Sequence, residues 1–238
     1  MRYITKRFLL CLLCSFFYVY YVIRNYNPFS YSNIFCGVKF NGHVFFYAAT
    51  IYLFGIVVFC SFGNTQKYIN GYGILELVRN KKRETVIGKI VKVQMLNLLK
   101  ITVSILAMYI VVSYFFLGKR ERFDIIGFTI DILLFYLVSL SIVLWQAFFE
   151  ILFDSRIGVL ITMSIICVHI CVGDVIMLLK KSQYLLYFFY TNFALVARRE
   201  ELYIDKVVMF FIIICMCLLQ IIIMNKVLEK KDIFSIKE

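Results

Sequence analysis

The chain has 238 residues, of which 63% are hydrophobic and 17% are charged, and its formal net charge is +12. A soluble domain has about 45–50% apolar and about 25% charged residues, so this composition excludes an ordinary soluble enzyme or binding domain. Several apolar runs approach or exceed the roughly 20 residues that cross a bilayer, which predicts an all-α integral membrane protein.

Six apolar runs, taken in chain order, predict six transmembrane helices. They cover residues 8–23, 44–62, 95–117, 125–149, 157–179 and 207–225. The basic residues before the first run resemble the start of a signal peptide, but no alanine that could form an A-x-A cleavage site precedes Ala48. We therefore expect the first helix to be retained. No internal repeat or linker divides the chain, which predicts one transmembrane domain over residues 1–238.

The longest polar interruption is residues 64–92, NTQKYINGYGILELVRNKKRETVIGKIVK, between the second and third runs. Tyr68, Tyr72 and Leu75 recur in it at helical spacing, which predicts a short amphipathic helix with a bend near Gly71. A basic cluster follows. Such a segment either lies on anionic lipid or docks a cytoplasmic protein, and the spacing alone does not choose between these two interpretations.

A second long connection, between the fifth and sixth runs, contains an apolar stretch at residues 183–197. At a rise of 1.5 Å per residue this stretch covers about 22 Å, less than the roughly 30 Å hydrocarbon core. It therefore predicts a pair of short re-entrant or interfacial helices rather than a seventh span.

The distribution of lysine and arginine predicts the orientation. With the N-terminus in the cytoplasm, fifteen basic residues lie in cytoplasmic segments and ten in outer segments. The positive-inside rule then places both termini and residues 64–92 in the cytoplasm of a plasma membrane, and residues 183–197 outside. Because the basic residues sit at the ends of apolar runs, the lipid bilayer accounts for them, and we do not expect a nucleic-acid partner.

Three ionisable residues lie within or beside the predicted spans: Lys100, Asp131 and Asp174. Lys100 falls near the start of the third run, where a lysine can extend its amine to the headgroups. The two aspartates fall towards the outer ends of their runs, where water or a basic loop can solvate them. Ionisable residues inside a membrane often mark a transport pathway, so a pathway role and a structural role both stay open.

No pattern of residues predicts catalysis, a cofactor or a metal. The chain contains two Gly-Lys pairs, Gly88-Lys89 and Gly118-Lys119. Neither is followed by Ser or Thr, so the phosphate-binding loop of nucleotide hydrolases is not predicted, and any ATP must be hydrolysed by a partner. Cys167 and Cys171 share a helix face from which His169 points away, so we expect no metal site there.

Taken together, these features resemble the permease subunit of a type-2 ABC exporter. The shared features are six spans with both termini inside, an amphipathic segment between spans two and three, and an apolar connection between spans five and six. The stretch Gly71–Leu99, GYGILELVRNKKRETVIGKIVKVQMLNLL, resembles the coupling-helix region of that family. The small size is similar to that of permeases in bacterial bacteriocin or lantibiotic immunity and peptide-export systems.

The resemblance implies a transport subunit without its own catalytic site. Two copies, or one copy with a different permease, would pair with cytoplasmic ABC ATPase subunits and export a peptide, bacteriocin or other amphipathic compound. The residues that it assigns to the ATPase contact are Tyr72, Leu75, Glu76, Arg79, Lys81, Lys82 and Arg83.

The sequence is also compatible with two other functions. A non-transporting immunity or sensor protein, which binds a peptide or partner in the bilayer, is the main alternative. A secondary carrier is disfavoured because neither half of the chain repeats the other.

Overall fold

The computed structural model describes residues 2–25, 34–73, 83–117, 124–179, 183–202 and 204–230, and no strand occurs among them. Eight α-helices are found there: α1 Arg2–Asn25, α2 Val44–Ser61, α3 Asn64–Tyr68, α4 Arg83–Leu117, α5 Ile125–Leu152, α6 Ser155–Leu179, α7 Val196–Glu201 and α8 Lys206–Lys230. A π-helical turn, Ile69–Gly73, follows α3. Two 3₁₀ turns, Gln183–Phe188 and Tyr190–Ala194, precede α7. Residues 183–202 are called the connector below.

Six helices of the described chain are long and apolar enough to cross a membrane, namely α1, α2, α4, α5, α6 and α8. This confirms the prediction of a multi-pass all-α membrane protein. Large apolar side chains such as Leu9, Phe45 and Phe211 are exposed on the outer surface of the bundle. Exposing this much apolar surface to water is unfavourable, whereas contact with lipid chains is not.

The third span differs most from its prediction. Helix α4 begins at Arg83 rather than at residue 95, because the more polar residues 85–94 continue the same helix. Its 35 residues extend about 52 Å, more than the roughly 30 Å hydrocarbon core. Lys100 therefore lies near the middle of α4, with its side chain exposed, and the prediction that it lies near the start of the helix is wrong.

Helix α5 is the centre of the bundle. It packs against α2, α4, α6 and α8, and also against α3 and the second 3₁₀ turn of the connector, whereas α1 packs on α2 and α4. Phe135 of α5 stacks on Phe35, with ring centroids 4.5 Å apart, and on Phe54 of α2 at 6.3 Å. Phe135 thus packs α5 both against the loop before α2 and against α2 itself.

The loop before α2 and the connector meet at one end of the bundle, called the connector end. The amide of Ala197 donates to the carbonyl oxygen of Cys36 at 3.1 Å. Gly37 has φ +66°, and a Cβ on it would lie 2.5 Å from Leu195 Cδ2. Glycine is therefore required here both for the backbone conformation and for the close approach.

Candidate functional site

A buried arginine organises the connector end. Arg198 of α7 is fully buried, and all three nitrogens of its guanidinium group donate hydrogen bonds. Nε donates to Val38 O at 2.9 Å, and Nη1 donates to Ile170 O at 3.0 Å and to Asn192 Oδ1 at 2.7 Å. These bonds join the loop before α2, helix α6 and the connector around one side chain.

Asp174 of α6 supplies the counter-charge. Nη2 of Arg198 lies 3.0 Å from Oδ1 and 3.3 Å from Oδ2 of this carboxylate. The hydroxyl of Tyr47 donates to Oδ2 at 2.7 Å, and the amide of Asn41 donates to Oδ1 at 3.2 Å. Hydrogen bonds to the remaining lone pairs and protons stabilise a buried ion pair, and here both partners have such bonds.

The surroundings of Arg198 balance its burial. Burial lowers the pKa of the Arg198 guanidinium from its ordinary value, while the charge of Asp174 raises it. The ring of Phe40 lies 4.6 Å from the guanidinium carbon and the ring of Tyr47 lies 5.7 Å from it, so both add cation–π attraction.

The next residue makes a second buried ion pair. Nη2 of Arg199 contacts Oδ1 of Asp131 in α5, and both side chains are at least nine-tenths buried. Nε and Nη1 of Arg199 have no hydrogen-bond partner within the described residues. Successive helical residues project about 100° apart, so the two arginines of α7 reach two different spans, α6 and α5.

Asp131 and Asp174 thus lie near the ends of their helices, as expected, and of the two solvating groups that the sequence left open, water or a basic loop, the structure shows the basic loop. Both are buried, and both are paired with arginines of the connector. The basic connection that the sequence placed nearby is their actual partner. In this structure they hold the connector against the bundle.

The connector reaches the middle of the bundle. The hydroxyl of Tyr190 contacts Ser141 and Trp145 of α5 and Gln220 of α8. Ser141 lies sixteen residues into α5, about 24 Å from the start of that helix. Burial raises the pKa of Tyr190 to about 12. The second 3₁₀ turn therefore occupies the space between α5, α6 and α8.

A different polar arrangement lies at the opposite end, where α2 gives way to α3. Oε1 of the buried Glu150 accepts hydrogen bonds from the amide of Gly63 at 2.8 Å and from Gln146 Nε2 at 3.1 Å. Gly63 adopts φ +67° and precedes α3. Within the described part of the chain, Glu150 forms no ion pair, and its Oε2 has no hydrogen-bond partner. This group is called the Glu150 junction.

The start of the 64–92 segment is held by further contacts. Gln94 of α4 donates to Thr65 Oγ1 at 3.0 Å, and the amide of Ser155, at the start of α6, donates to Gln66 Oε1 at 3.3 Å. The chain bends at Gly71, whose φ of −99° and ψ of −116° are non-helical, which confirms the predicted bend. The segment is therefore attached at its beginning to α4, α5 and α6.

The structure does not show whether the predicted ATPase-contact residues lie close to one another. Leu75, Glu76, Arg79, Lys81 and Lys82 lie outside the described residues. For Tyr72 and Arg83, the structure describes only the backbone, in the π-helical turn and at the start of α4 respectively. Their role remains a prediction.

Sequence reasoning missed the residues that form both polar sites. Arg198 and Arg199 enter the sequence prediction only as two of the ten basic residues of the outer segments, although they directly follow the apolar stretch at residues 183–197. Glu150 lies one residue beyond the predicted fourth span, residues 125–149, although it follows a long apolar run without a break. Neither signal names the partner, because the paired residues are 24, 68 and 87 positions apart.

The fold and its buried polar sites define a polytopic helical membrane protein with six candidate spans. A protein-family model described as "Protein of unknown function (DUF2705)" matches residues 6–234, and the chain belongs to this family. No curated protein and no solved structure matches the chain.

Proposed function

We propose that the protein is the permease subunit of an ATP-driven ABC exporter in the plasma membrane. It works with a second permease copy or a different permease, and a separate cytoplasmic subunit hydrolyses the ATP. Both termini and residues 64–92 face the cytoplasm, and the connector is the outer re-entrant segment. The substrate is a peptide, a bacteriocin or another amphipathic compound.

The observation that supports this proposal most is the position of the connector. Tyr190 contacts side chains about 24 Å from the start of α5, and two ion pairs hold the following helix against α5 and α6. A segment placed in this way closes one end of the bundle. An exporter needs such a closure on its outer side, and it opens when α5 and α6 move apart.

The Glu150 junction supports the proposed route from the ATPase. Gly63, which precedes the 64–92 segment, is hydrogen-bonded to α5, and Thr65 and Gln66 at its start are hydrogen-bonded to α4 and to the start of α6. A partner that pushes on residues 72–83 therefore displaces three spans together. This is the mechanical connection that ATP-driven export requires.

Co-purification with a cytoplasmic ATPase tests the proposal. The permease is purified in mild detergent with a candidate cytoplasmic ABC ATPase, and we expect a stable complex and ATP-dependent export of substrate. Replacing Glu76 and Arg79 together with alanine should weaken both the complex and export. Lys226→Ala, an exposed residue of α8 on the same predicted side, is the matched control. If no ATPase co-purifies, or if the double variant keeps full complex formation and export, the coupling proposal fails.

The alternative is a non-transporting immunity or sensor protein that binds a peptide or partner in the bilayer. The hydrogen bonds of Arg198 favour this alternative, because all three guanidinium nitrogens bind neighbouring segments. A connector held in this way is expected in a protein whose helices do not move during function. A protein of this kind would protect cells from a peptide without any ATP-dependent movement of that peptide across vesicles.

A further inference from the structure

The surface of α6 that faces away from the bundle has an open pocket of about 410 Å³. Six residues of α6 and Phe189 of the connector line it. Leu160 and Val168 at its border are 68% and 51% exposed, so the pocket opens on the side of the bundle that faces lipid. Its volume lies in the range of roughly 300–1,000 Å³ that small-molecule sites occupy.

The pocket contains one polar ring, that of His169, which forms no hydrogen bond to any residue that the structure describes. His169 packs edge-to-face against Phe189 and Tyr190, with ring centroids 5.3 and 5.4 Å away. Its Nδ1 is buried, and neither ring nitrogen forms a hydrogen bond within the described residues. A neutral imidazole has one donor and one acceptor, and leaving them unpaired in apolar surroundings is unfavourable. A ligand that supplies a hydrogen bond here gains free energy that a purely apolar chain does not.

The depth of His169 restricts what that ligand can be. The residue lies fourteen positions after the start of α6 and ten before its end, about 21 Å and 15 Å along the helix. The polar groups of a phospholipid stay at the surface of the roughly 30 Å hydrocarbon core, so they do not reach the middle of a span. The acyl chain that does reach this depth has no hydrogen-bonding group.

We propose that the pocket binds an amphiphile that carries a hydroxyl or amide group part-way along its apolar body. The apolar part lies against the α6 surface between Leu160 and Val168, and the polar group bonds to the His169 ring. Binding itself is independent of the proposed function, whereas the identification of this ligand class as the exported substrate rests on it. Because Phe189 and Tyr190 belong to the connector, an occupied pocket contacts the segment that closes the bundle.

A matched pair of probes tests the binding. The protein is placed in phosphatidylcholine nanodiscs with ¹⁵N-labelled histidine, and 10-hydroxystearic acid is compared with stearic acid. The chain has only two histidines, so His43 serves as the internal control. We expect the hydroxylated probe to shift the ring resonances of His169 and not those of His43. One additional hydrogen bond should make it bind about threefold to tenfold more tightly than stearic acid.

Three variants complete the test. His169→Phe should remove the preference for the hydroxylated probe, Val168→Trp should weaken binding of both probes, and Leu178→Trp, exposed on α6 outside the pocket, should change neither. Equal affinities of the two probes for the native protein, or a preference that persists in His169→Phe, would show ordinary lipid contact and overturn the proposal. The binding assay contains no ATPase, so a negative result there does not contradict the exporter proposal. Likewise, failure to co-purify an ATPase does not contradict ligand binding in the pocket.

Discussion

The ion pair between Arg198 and Asp174 makes the sharpest prediction about stability. Asp174→Asn preserves the shape of the side chain but leaves the buried guanidinium without its counter-charge. Removing one partner of a buried pair costs about 3–5 kcal/mol. The side chain of Asp174 is 12% exposed, and the charge of Glu201 also acts favourably on Arg198, so part of the positive charge remains compensated. We therefore expect the lower end, about 3 kcal/mol.

A double-mutant cycle measures this contribution. Asp174→Asn, Arg198→Gln and the double variant are unfolded reversibly in detergent micelles, with the single tryptophan as the fluorescent reporter. Because the double variant leaves no uncompensated charge, it should lose at least about 1.5 kcal/mol less than the sum of the two single variants. Asp205→Asn is the control: it changes an exposed carboxylate that accepts a hydrogen bond from the amide of Val207, and it should cost about 1 kcal/mol or less.

Either of two outcomes would contradict a stabilising ion pair between Asp174 and Arg198. A loss below about 0.5 kcal/mol for Asp174→Asn would mean that Arg198 finds other compensation or is not buried in the membrane. Strict additivity of the two substitutions would mean that they do not interact, whatever the distance between their atoms.

Three further predictions concern other parts of the bundle. Glu150→Ala should leave the amide of Gly63 without an acceptor and speed hydrogen exchange at the start of α3 about tenfold to a hundredfold, whereas Glu150→Gln, which keeps an acceptor oxygen, should change it much less. Gly37→Ala should cost about 2 kcal/mol in the free energy of unfolding, because φ is positive and the Cβ has no room. Gly88→Ala in α4 should stabilise the protein by about 0.5–1 kcal/mol, because a Cβ there would meet nothing within 4 Å beyond its chain neighbours and the backbone of its own helix. The pKa of Tyr190 is raised from 10 to about 12. The contribution of this group to the free energy of unfolding is therefore complete below pH 10 and is lost as pH rises through 12. Tyr190→Phe should make the free energy of unfolding less dependent on pH between 10 and 12.

Much of the transmembrane architecture was predictable because it depends on local sequence. A run of about 20 apolar residues must form a helix in lipid, since only internal hydrogen bonds can satisfy its backbone there. Helix ends were less predictable, because polar residues continue a helix beyond the lipid without changing the apolar pattern. Helix α4 shows this: its extension back to Arg83 moved Lys100 from a predicted boundary to the helix middle.

The polar sites were not predictable from local pattern. Asp131 and Arg199 are 68 residues apart and meet only because the connector packs on α5. The sequence placed both aspartates near a basic connection, which was correct, but it did not indicate that Arg198 would be completely buried. The amide of Gly63 donates a hydrogen bond to Glu150, which is 87 residues away in sequence, because α2 packs against α5. Such pairings follow from the three-dimensional arrangement of spans, and apolar periodicity carries no information about it.

The two ends of the bundle are held by contacts of different physical character. At the connector end, separating either ion pair leaves buried charges without compensation, so opening there is costly. At the Glu150 junction, the described contacts of the carboxylate are to neutral N–H donors, and on separation both sides regain hydrogen bonds from water. Movement should therefore begin at the Glu150 junction. Helix α5 carries both Glu150 and Asp131, so a displacement that starts at the junction reaches the connector along one rigid helix, which is the direction that the permease proposal requires.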